Sequence, residues 1–216
     1  MTDPLILHGE STWVSPWVFH ALVALEEKGL PYALKLWPLP LPVAAKAELT
    51  AKNGVGKVPI LEHGAVAIGE SLVISEYLAE TFPFPDHPRL FPADLAERAR
   101  ARQVMSFLRT GLFALREARP TSSVFGAPVT TPLSAAAQAQ ADELLGAARH
   151  LIAPGRTTIA SAWSIADADL GLALMRLVAN GDPVPDPLRA YALAQWQRRS
   201  VRVYLGHATA AATAAT

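Results

Sequence analysis

A proline-dense stretch divides the chain into two halves of different character. Residues 83–92 contain four prolines in ten positions, and proline removes the backbone N–H that helices and sheets require. The half before this stretch consists of short apolar runs between glycines and prolines, whereas the half after it shows only helical periodicity. We therefore expect a domain at 1–82, a linker at 83–92 and a helical domain at 93–207. The remaining residues, 208–216, are all alanine or threonine and predict a disordered tail.

The first half is expected to begin with a strand, a helix and a second strand. Apolar runs at Leu5–Gly9 and Tyr32–Trp37 have the length of strands. Between them, Trp17–Lys28 repeats apolar residues at helical spacing, and Gly29 suits the left-handed end of such a helix. A helix that connects two strands implies that these strands pair in parallel.

A second helix at Ala44–Ala51 leads to a β-hairpin and a third helix. The apolar runs Val58–Leu61 and Ala65–Ile68 flank His63-Gly64, and a two-residue loop with glycine is typical of a hairpin. A helical pattern then covers Ser71–Phe82. The resulting order, β-α-β-α-β-β-α, joins a parallel pair to an antiparallel hairpin, which is the thioredoxin-like arrangement.

The second half predicts helices only, so the fold class is an α/β domain followed by an all-α domain. Apolar residues recur at helical spacing through Leu95–Arg116 and Ser134–Ile152. A long break, Arg119–Pro132, separates these two helices. Ser164 followed by Asp167 is a capping box, in which the acidic residue returns a hydrogen bond to the start of a further helix.

Composition excludes several kinds of chemistry. There is no cysteine, so disulfides, thiolate metal sites and a protein-thiol nucleophile are excluded. The six histidines are scattered without ligand spacing, and we expect no metal. Basic and acidic residues are equal in number, at 19 each, which gives no indication of nucleic acid or an anionic membrane as a partner.

The chain is expected to be a soluble cytoplasmic protein. Its first residues lack a basic region followed by an apolar core. Its apolar runs are all shorter than a membrane-spanning helix requires.

The hairpin and the helix after it carry the strongest functional signal. Pro59 marks a strand start, a sheet edge or a cis peptide bond. A cis bond would leave the backbone N–H and C=O of Val58 free to pair with an extended peptide. Glu70 and Ser71 stand at the start of a helix, where backbone N–H groups attract anions.

Val58-Pro59, followed twelve residues later by Glu70-Ser71, resembles the glutathione-binding signature of the cytosolic glutathione transferases. The resemblance implies a thioredoxin-like domain that binds glutathione as co-substrate, followed by the helical C-terminal domain of that family. It also implies that Val58 pairs its backbone with the cysteinyl part of glutathione and that Glu70-Ser71 holds the γ-glutamyl end. An ordinary hairpin before a capped helix is the alternative interpretation.

Ser15 is the candidate catalytic residue. Ser15-Pro16 predicts a helix start, because serine is a good N-cap and proline a good first helical residue. In serine-type members of the resembled family, a hydroxyl at this helix start donates to the glutathione sulfur and favours the thiolate. A helix N-terminus itself lowers the pKa of a thiol. Ser11, in the preceding loop, is the second choice for this role.

The remaining parts of the site are less closely defined by sequence. Lys57, beside the proline turn, is the nearest cation for the glycine carboxylate of glutathione, and Lys46 and Lys52 lie just before it. Four residues are candidates for the pocket of the electrophilic second substrate, although the aromatic ones among them fit a core equally well: Trp13, Phe107, Phe113 and Arg116.

The second half is similar to the YfcF-like bacterial serine-type transferases in four segments: 98–103, 116–121, 165–170 and 195–198. This resemblance implies glutathione-dependent peroxidase or disulfide-exchange chemistry besides conjugation, with a small electrophile, peroxide or disulfide as substrate. The resemblance to the glutathione transferase family also implies a homodimer that involves the helices starting at Ser71 and Ala93. The capping-box residues are implied to be folding residues rather than catalytic ones.

Two other functions remain open at this point. A zeta-like glutathione-dependent cis-trans isomerase resembles this chain around its serine-rich helix start, although Ser11 and Ser15 are separated here by Thr12-Trp13-Val14. A transferase-fold binding or regulatory protein without turnover is the non-enzymatic alternative.

Overall fold

A computed structural model describes residues 3–153 and 155–214. The chain divides into two compact units. The first unit contains residues 3–90 together with 203–214, and the second contains Phe91–Arg202. No helix within the described residues is both long and apolar enough to cross a membrane.

The first unit contains a four-stranded mixed sheet in the order β2-β1-β3-β4. Strand β1 pairs in parallel with β2, with Leu7 opposite Leu34, and both the β1–β3 and the β3–β4 pairs are antiparallel. This topology confirms the predicted thioredoxin-like arrangement. The strands are β1 (Leu5–Glu10), β2 (Tyr32–Trp37), β3 (Ile60–His63) and β4 (Val66–Gly69).

Three helices complete the predicted β-α-β-α-β-β-α order: α1 (Pro16–Lys28), α2 (Val43–Asn53) and α3 (Ser71–Thr81). Helix α1 ends at Gly29, whose φ of 64° is the left-handed conformation expected there. Apolar residues from Val18 to Leu25 are buried, so α1 supplies much of this unit's core.

The hairpin turn lies one residue later than the sequence predicts. His63 is the last residue of β3 and pairs with Val66, so the loop is Gly64-Ala65 rather than His63-Gly64. Gly64 has a φ of 57°, and a Cβ on it would lie 2.2 Å from Oδ2 of Asp3. Glycine is therefore required at the first loop position, and His63 remains in the strand.

Seven further helices follow within the described residues: α4 (Leu95–Thr110), α5 (Phe113–Ala118), α6 (Thr121–Phe125), α7 (Ala135–Leu151), α8 (Ile165–Val178), α9 (Asp186–Trp196) and α10 (Arg199–Ala214). Helix α8 is the centre of the second unit, because every residue from Ile165 to Leu177 is buried. Its capping box is present, as predicted.

The predicted helix Leu95–Arg116 is interrupted. Helix α4 ends at Thr110, and Leu112 takes a left-handed conformation with a φ of 59° before α5 begins. The predicted break after Arg119 contains the short helix α6. The guanidinium of Arg119 donates two hydrogen bonds to the carboxylate of Asp182, at 2.6 and 2.8 Å, which anchors the start of this segment.

The predicted disordered tail is wrong for residues 208–214, because α10 continues to Ala214. Ala208 is buried, and alanine has the highest helix propensity of all residues. Residues 203–207, which the sequence assigned to the helical domain, group with the first unit. The last two residues of the predicted tail lie outside the described residues.

Asp167 does more than close the capping box of α8. Its carboxylate accepts hydrogen bonds from the backbone N–H of Ser164 at 2.9 Å, from that of Ile159 at 2.8 Å and from the hydroxyl of Tyr191 at 2.8 Å. Asp167 has no exposed surface. Burial raises the pKa of this carboxyl, and the hydrogen bonds that it accepts oppose that shift.

We expect Asp167→Ala to lower the free energy of unfolding by about 2–4 kcal/mol. Loss of a cap alone costs about 1 kcal/mol, and buried donors left without an acceptor add to that cost. Chemical denaturation of the folded variant measures the effect. Asp142→Ala is the control, because Asp142 is exposed and, within the described residues, accepts only from Gln138 on its own helix. A loss as small in Asp167→Ala as in this control would contradict the prediction.

Candidate active site

The proline turn and the start of α3 enclose a cavity of about 180 Å³ in the first unit. Eight residues line it: Trp17, Val55, Lys57, Val58, Pro59, Gly69, Glu70 and Ser71. The structure therefore brings together all five residues that the sequence proposes for binding glutathione. They come from two segments of the chain. Antiparallel pairing of β3 and β4 brings these segments together, since it places Gly69, at the end of β4, opposite Ile60, at the start of β3.

The Val58–Pro59 peptide bond is cis, and β3 begins directly after it. Within the part of the chain that the structure describes, the backbone N–H and C=O of Val58 have no hydrogen-bond partner. An extended backbone segment could therefore pair with both groups, as a peptide does when it adds to a sheet edge.

Glu70 and Ser71 form the other wall of the cavity. Glu70 precedes the first turn of α3 with a φ of 62° and a ψ of 112°, and its side chain makes no capping hydrogen bond. A positive φ is uncommon for a residue other than glycine, and such conformations cluster at functional sites. Ser71 is buried at the first position of α3, where helical N–H groups lack intrahelical acceptors. The exposed carboxylate of Glu70 thus lies next to a helix start, where backbone N–H groups favour anions.

Of the three candidate lysines, the structure places Lys57 at the cavity. Its side chain is exposed and belongs to the lining. Lys52 instead forms an ion pair with Glu62, at 2.8 Å. Lys46 lies on α2 and is not a lining residue.

Ser15 is the N-cap of α1, as the sequence predicts. Its Oγ accepts a hydrogen bond from the backbone N–H of Val18 at 3.3 Å, so the hydroxyl proton remains available for donation. The side chain is half-buried, whereas Ser11 is exposed. Neither serine is a lining residue of the cavity, but Trp17, in the first turn of α1, is one.

Glu10, at the end of β1, binds the loop that carries Ser15, and sequence reasoning did not single it out. It is completely buried, and its carboxylate accepts four hydrogen bonds from the loop that leads to α1. Oε1 accepts from the N–H groups of Val14, at 2.6 Å, and Ser15, at 2.9 Å. Oε2 accepts from the N–H of Thr12, at 2.7 Å, and from its hydroxyl. A glutamate at a strand end has no sequence pattern that predicts this role.

Trp13, a predicted pocket residue, is a core residue of the first unit. Only 3% of it is exposed. Its indole stacks on the ring of His207, with centroids 4.3 Å apart, and meets the ring of Tyr204 edge-on at 5.3 Å. This packing accounts for Trp13 without a bound substrate.

Tyr204, on α10, also reaches the Ser15 loop. Its hydroxyl donates a hydrogen bond to the carbonyl oxygen of Ser15 at 3.1 Å. Burial raises the pKa of this phenol, and the negative charge of Glu10 raises it further. The hydroxyl therefore stays protonated at neutral pH, as a hydrogen-bond donor must be.

The other three predicted pocket residues belong to the second unit. Phe107 packs against the helical core, and Phe113 is 63% exposed. The guanidinium of Arg116 lies 5.4 Å from the centroid of the Phe113 ring and donates to the carbonyl of Arg109 at 3.1 Å. Burial lowers the pKa of Arg116, and the charge of Arg109 lowers it further. Their surroundings do not identify a substrate.

Metal-ligating groups do not cluster in the described part of the chain. No three histidine, aspartate or glutamate side chains there lie close enough together to hold a metal ion.

Two family models match the chain. The model of the glutathione S-transferase N-terminal domain matches residues 14–81, and that of the C-terminal domain matches residues 94–210. Together they include all five lining residues proposed for glutathione, as well as Ser15.

Curated relatives match over shorter segments. Glutathione S-transferase U10 from Arabidopsis thaliana is 38% identical over 111 residues, which are 50% of this chain and 44% of that protein. Glutathione S-transferase U13 from the same plant is 34% identical over 109 residues, 50% of this chain and 46% of that protein. The chain thus spans about half the length of the curated relatives that it matches.

Solved structures match over nearly the whole length. A tau-class glutathione S-transferase from mango, Mangifera indica, has a TM-score of 0.74 at 22% identity and covers 99% of this chain and 97% of its own, which shows the shared fold alone. A glutathione transferase homologue from Burkholderia, crystallised with bound glutathione, has a TM-score of 0.77 at 33% identity and covers 96% and 98%. Because both family models and the Burkholderia structure match, the chain belongs to the glutathione S-transferase family.

Proposed function

We propose that this protein is a glutathione transferase that binds glutathione in the cavity beside Pro59 and activates its thiol as the thiolate. One observation carries the proposal: a single cavity brings together the unpaired backbone of Val58, the helix start at Glu70-Ser71 and the exposed cation of Lys57. These groups complement a short, extended tripeptide with a carboxylate at each end. The Burkholderia homologue, whose crystals contain glutathione, supports this choice of ligand.

Each part of glutathione has a matching group in the cavity. The cysteinyl backbone pairs with the N–H and C=O of Val58, as in strand addition. The carboxylate of the γ-glutamyl end binds at the N-terminus of α3, where the helix dipole favours anions. The Glu70 carboxylate is suited to the ammonium of the same end. Lys57 then binds the glycine carboxylate.

The thiol is activated by the Ser15 hydroxyl at the start of α1. A free thiol of this type has a pKa of about 8.5, and a helix N-terminus with donated hydrogen bonds lowers it. Each unit of lowering corresponds to about 1.4 kcal/mol, so one further hydrogen bond is enough to make the thiolate dominant at neutral pH. Ser15 already accepts from Val18, and its proton is therefore the one that can be donated to sulfur. Ser11 remains the second choice.

The thiolate attacks an electrophilic carbon, a peroxide or a disulfide. Attack on carbon forms a thioether and expels the leaving group. Attack on a peroxide or a disulfide breaks the O–O or S–S bond, and a second glutathione thiol completes the exchange, since the chain has no cysteine. We propose that the protein is a YfcF-like serine-type transferase, on the resemblance of the four segments given in the sequence analysis. The cytoplasmic location stays a prediction of the sequence.

Ser15→Ala is expected to raise the thiol pKa of bound glutathione towards the free value and to lower kcat/KM. The loss should be roughly tenfold or more, since a hydrogen bond to a charged group contributes about 1.5–3 kcal/mol. Thiolate absorbance in the ultraviolet, followed against pH, gives the thiol pKa in both proteins. Activity towards a chlorinated nitroaromatic compound, cumene hydroperoxide and a glutathione mixed disulfide identifies the reaction.

Ser11→Ala is the matched control for this experiment and should keep the wild-type thiol pKa. If Ser11→Ala raises the pKa and Ser15→Ala does not, the catalytic hydroxyl is that of Ser11. If wild-type protein binds glutathione without lowering its thiol pKa, the proposed activation is wrong.

Lys57→Gln is expected to weaken glutathione binding about two- to fivefold, because an exposed ion pair contributes up to about 1 kcal/mol. The monoethyl ester of glutathione, which lacks the glycine carboxylate charge, should bind wild type and variant equally. Calorimetric titration measures both ligands, and Lys46→Gln is the control cation. An equal loss of affinity for acid and ester would exclude Lys57 as the carboxylate partner.

We propose that the protein forms a homodimer through α3 and α4. Val73 on α3 and Leu95 on α4 are exposed apolar side chains, 47% and 75% accessible. Sedimentation velocity should give twice the chain mass of 23.1 kDa, and Val73→Glu should shift the protein towards the monomer. A wild-type monomer at micromolar concentration would contradict the proposal.

A further inference from the structure

Both backbone polar groups of Ser15 are held by buried side chains from outside its loop. Its N–H donates to Oε1 of Glu10 at 2.9 Å. Its carbonyl oxygen accepts from the hydroxyl of Tyr204, at 3.1 Å, as well as from the N–H of Phe19 within α1, at 3.0 Å. Glu10 and Tyr204 have no exposed surface. The backbone of the candidate catalytic residue is thus fixed on both sides.

Glu10 fixes the whole loop, and not only Ser15. Its two carboxylate oxygens also accept from the N–H groups of Thr12 and Val14. The residue between these two, Trp13, has a φ of 55°, which is a strained conformation for a large side chain. Hydrogen bonds to a carboxylate are stronger than those to a neutral acceptor, so the four bonds to Glu10 can hold the loop in this shape.

Hydrogen bonds to the side chains of Glu10 and Ser15 occupy three backbone N–H groups around the start of α1. The N–H groups of Val14 and Ser15 are bound to Glu10, that of Val18 is bound to Ser15 Oγ, and Pro16 has none. The hydroxyl of Ser15, which accepts from Val18, still has its own proton to donate at this helix start. The distance from this hydroxyl to the sulfur of bound glutathione depends on where the loop places the Cα of Ser15.

Tyr204 is suited to hold the backbone of Ser15 in place. Its ring packs edge-on against Trp13, at 5.3 Å, and against Phe19, at 5.1 Å. The ring can therefore stay in place when only its hydroxyl is removed. Tyr204 comes from α10, far from the loop in sequence, so α10 contributes directly to the geometry of the helix start.

We propose that Glu10 and Tyr204 are positioning residues that fix the Ser15 hydroxyl for its hydrogen bond to the thiolate, so that α10 is a functional part of the glutathione site. This inference rests on the proposed function, because it assumes that Ser15 is the donor to sulfur. Neither residue lines the cavity, and both act through the backbone of Ser15.

The test separates thiol activation from glutathione binding. Tyr204→Phe should raise the thiol pKa of bound glutathione part of the way to the free value and lower kcat/KM about two- to tenfold, as expected for one hydrogen bond. Glu10→Gln should have a larger effect, roughly ten- to a hundredfold, because its amide nitrogen faces N–H donors and displaces the loop. S-methylglutathione, whose sulfur needs no donor, should bind both variants with the wild-type dissociation constant.

Tyr191→Phe is the matched control. Tyr191 is also a buried tyrosine, and its hydroxyl donates to the carboxylate of Asp167 in the second unit. This variant should lose stability in chemical denaturation, while the thiol pKa of bound glutathione stays at the wild-type value. A thiol pKa that responds equally to Tyr191→Phe and Tyr204→Phe would overturn the proposal, since general loosening would then explain both.

Ser15→Ala, measured in parallel, distinguishes failure of the inference from failure of the proposed function. If Ser15→Ala raises the thiol pKa while folded Glu10→Gln and Tyr204→Phe keep the wild-type value, the positioning role is refuted and the proposed function stands. If Ser15→Ala leaves the thiol pKa unchanged, the proposed role of Ser15 fails and the inference fails with it. If Glu10→Gln does not fold, Tyr204→Phe decides the question alone.

Discussion

A buried carboxylate that binds backbone N–H groups stands at the start of a central helix in each unit. Glu10 holds the loop before α1, and Asp167 closes the box that opens α8. Both side chains are completely buried, where an N–H without an acceptor would cost about 1–3 kcal/mol. Each carboxylate also has a buried tyrosine close by, Tyr204 in the first unit and Tyr191 in the second. The most buried helix of each unit thus begins in the same physical way.

The elements of the fold were predictable wherever a local pattern decides the outcome. The four strands and the helices α1 to α3 follow from apolar periodicity and from glycine and proline at their ends. The left-handed Leu112 was not predictable, because leucine carries no sequence signal for that conformation. The composition of the tail, alanine and threonine alone, predicts disorder because it shows no apolar periodicity, but α10 packs Ala208 into the core.

The residues of the candidate site divide in the same way, into those with a local sequence pattern and those without one. Val58, Pro59, Glu70 and Ser71 can be proposed from sequence, because they form two short motifs whose members are adjacent, and all four line one cavity. Glu10 carries no such motif, although all four hydrogen bonds described for its carboxylate come from residues at most five positions away. Tyr204 could not be predicted because its contact with Ser15 spans 189 residues. The sequence predicts Trp13 as a pocket residue, because an aromatic residue in a loop has the same sequence signal whether it lines a site or packs in the core.

The first unit is assembled from two segments that are separated by the entire second unit. During synthesis, β1 and the Ser15 loop leave the ribosome early, whereas Tyr204 and His207 follow only after the helices of the second unit have been made. The two aromatic rings that pack on Trp13 are therefore absent while the second unit is being made. The first unit is therefore completed only when α10 has been made. Until then, Trp13 lacks the rings of Tyr204 and His207, which pack on it in the folded protein.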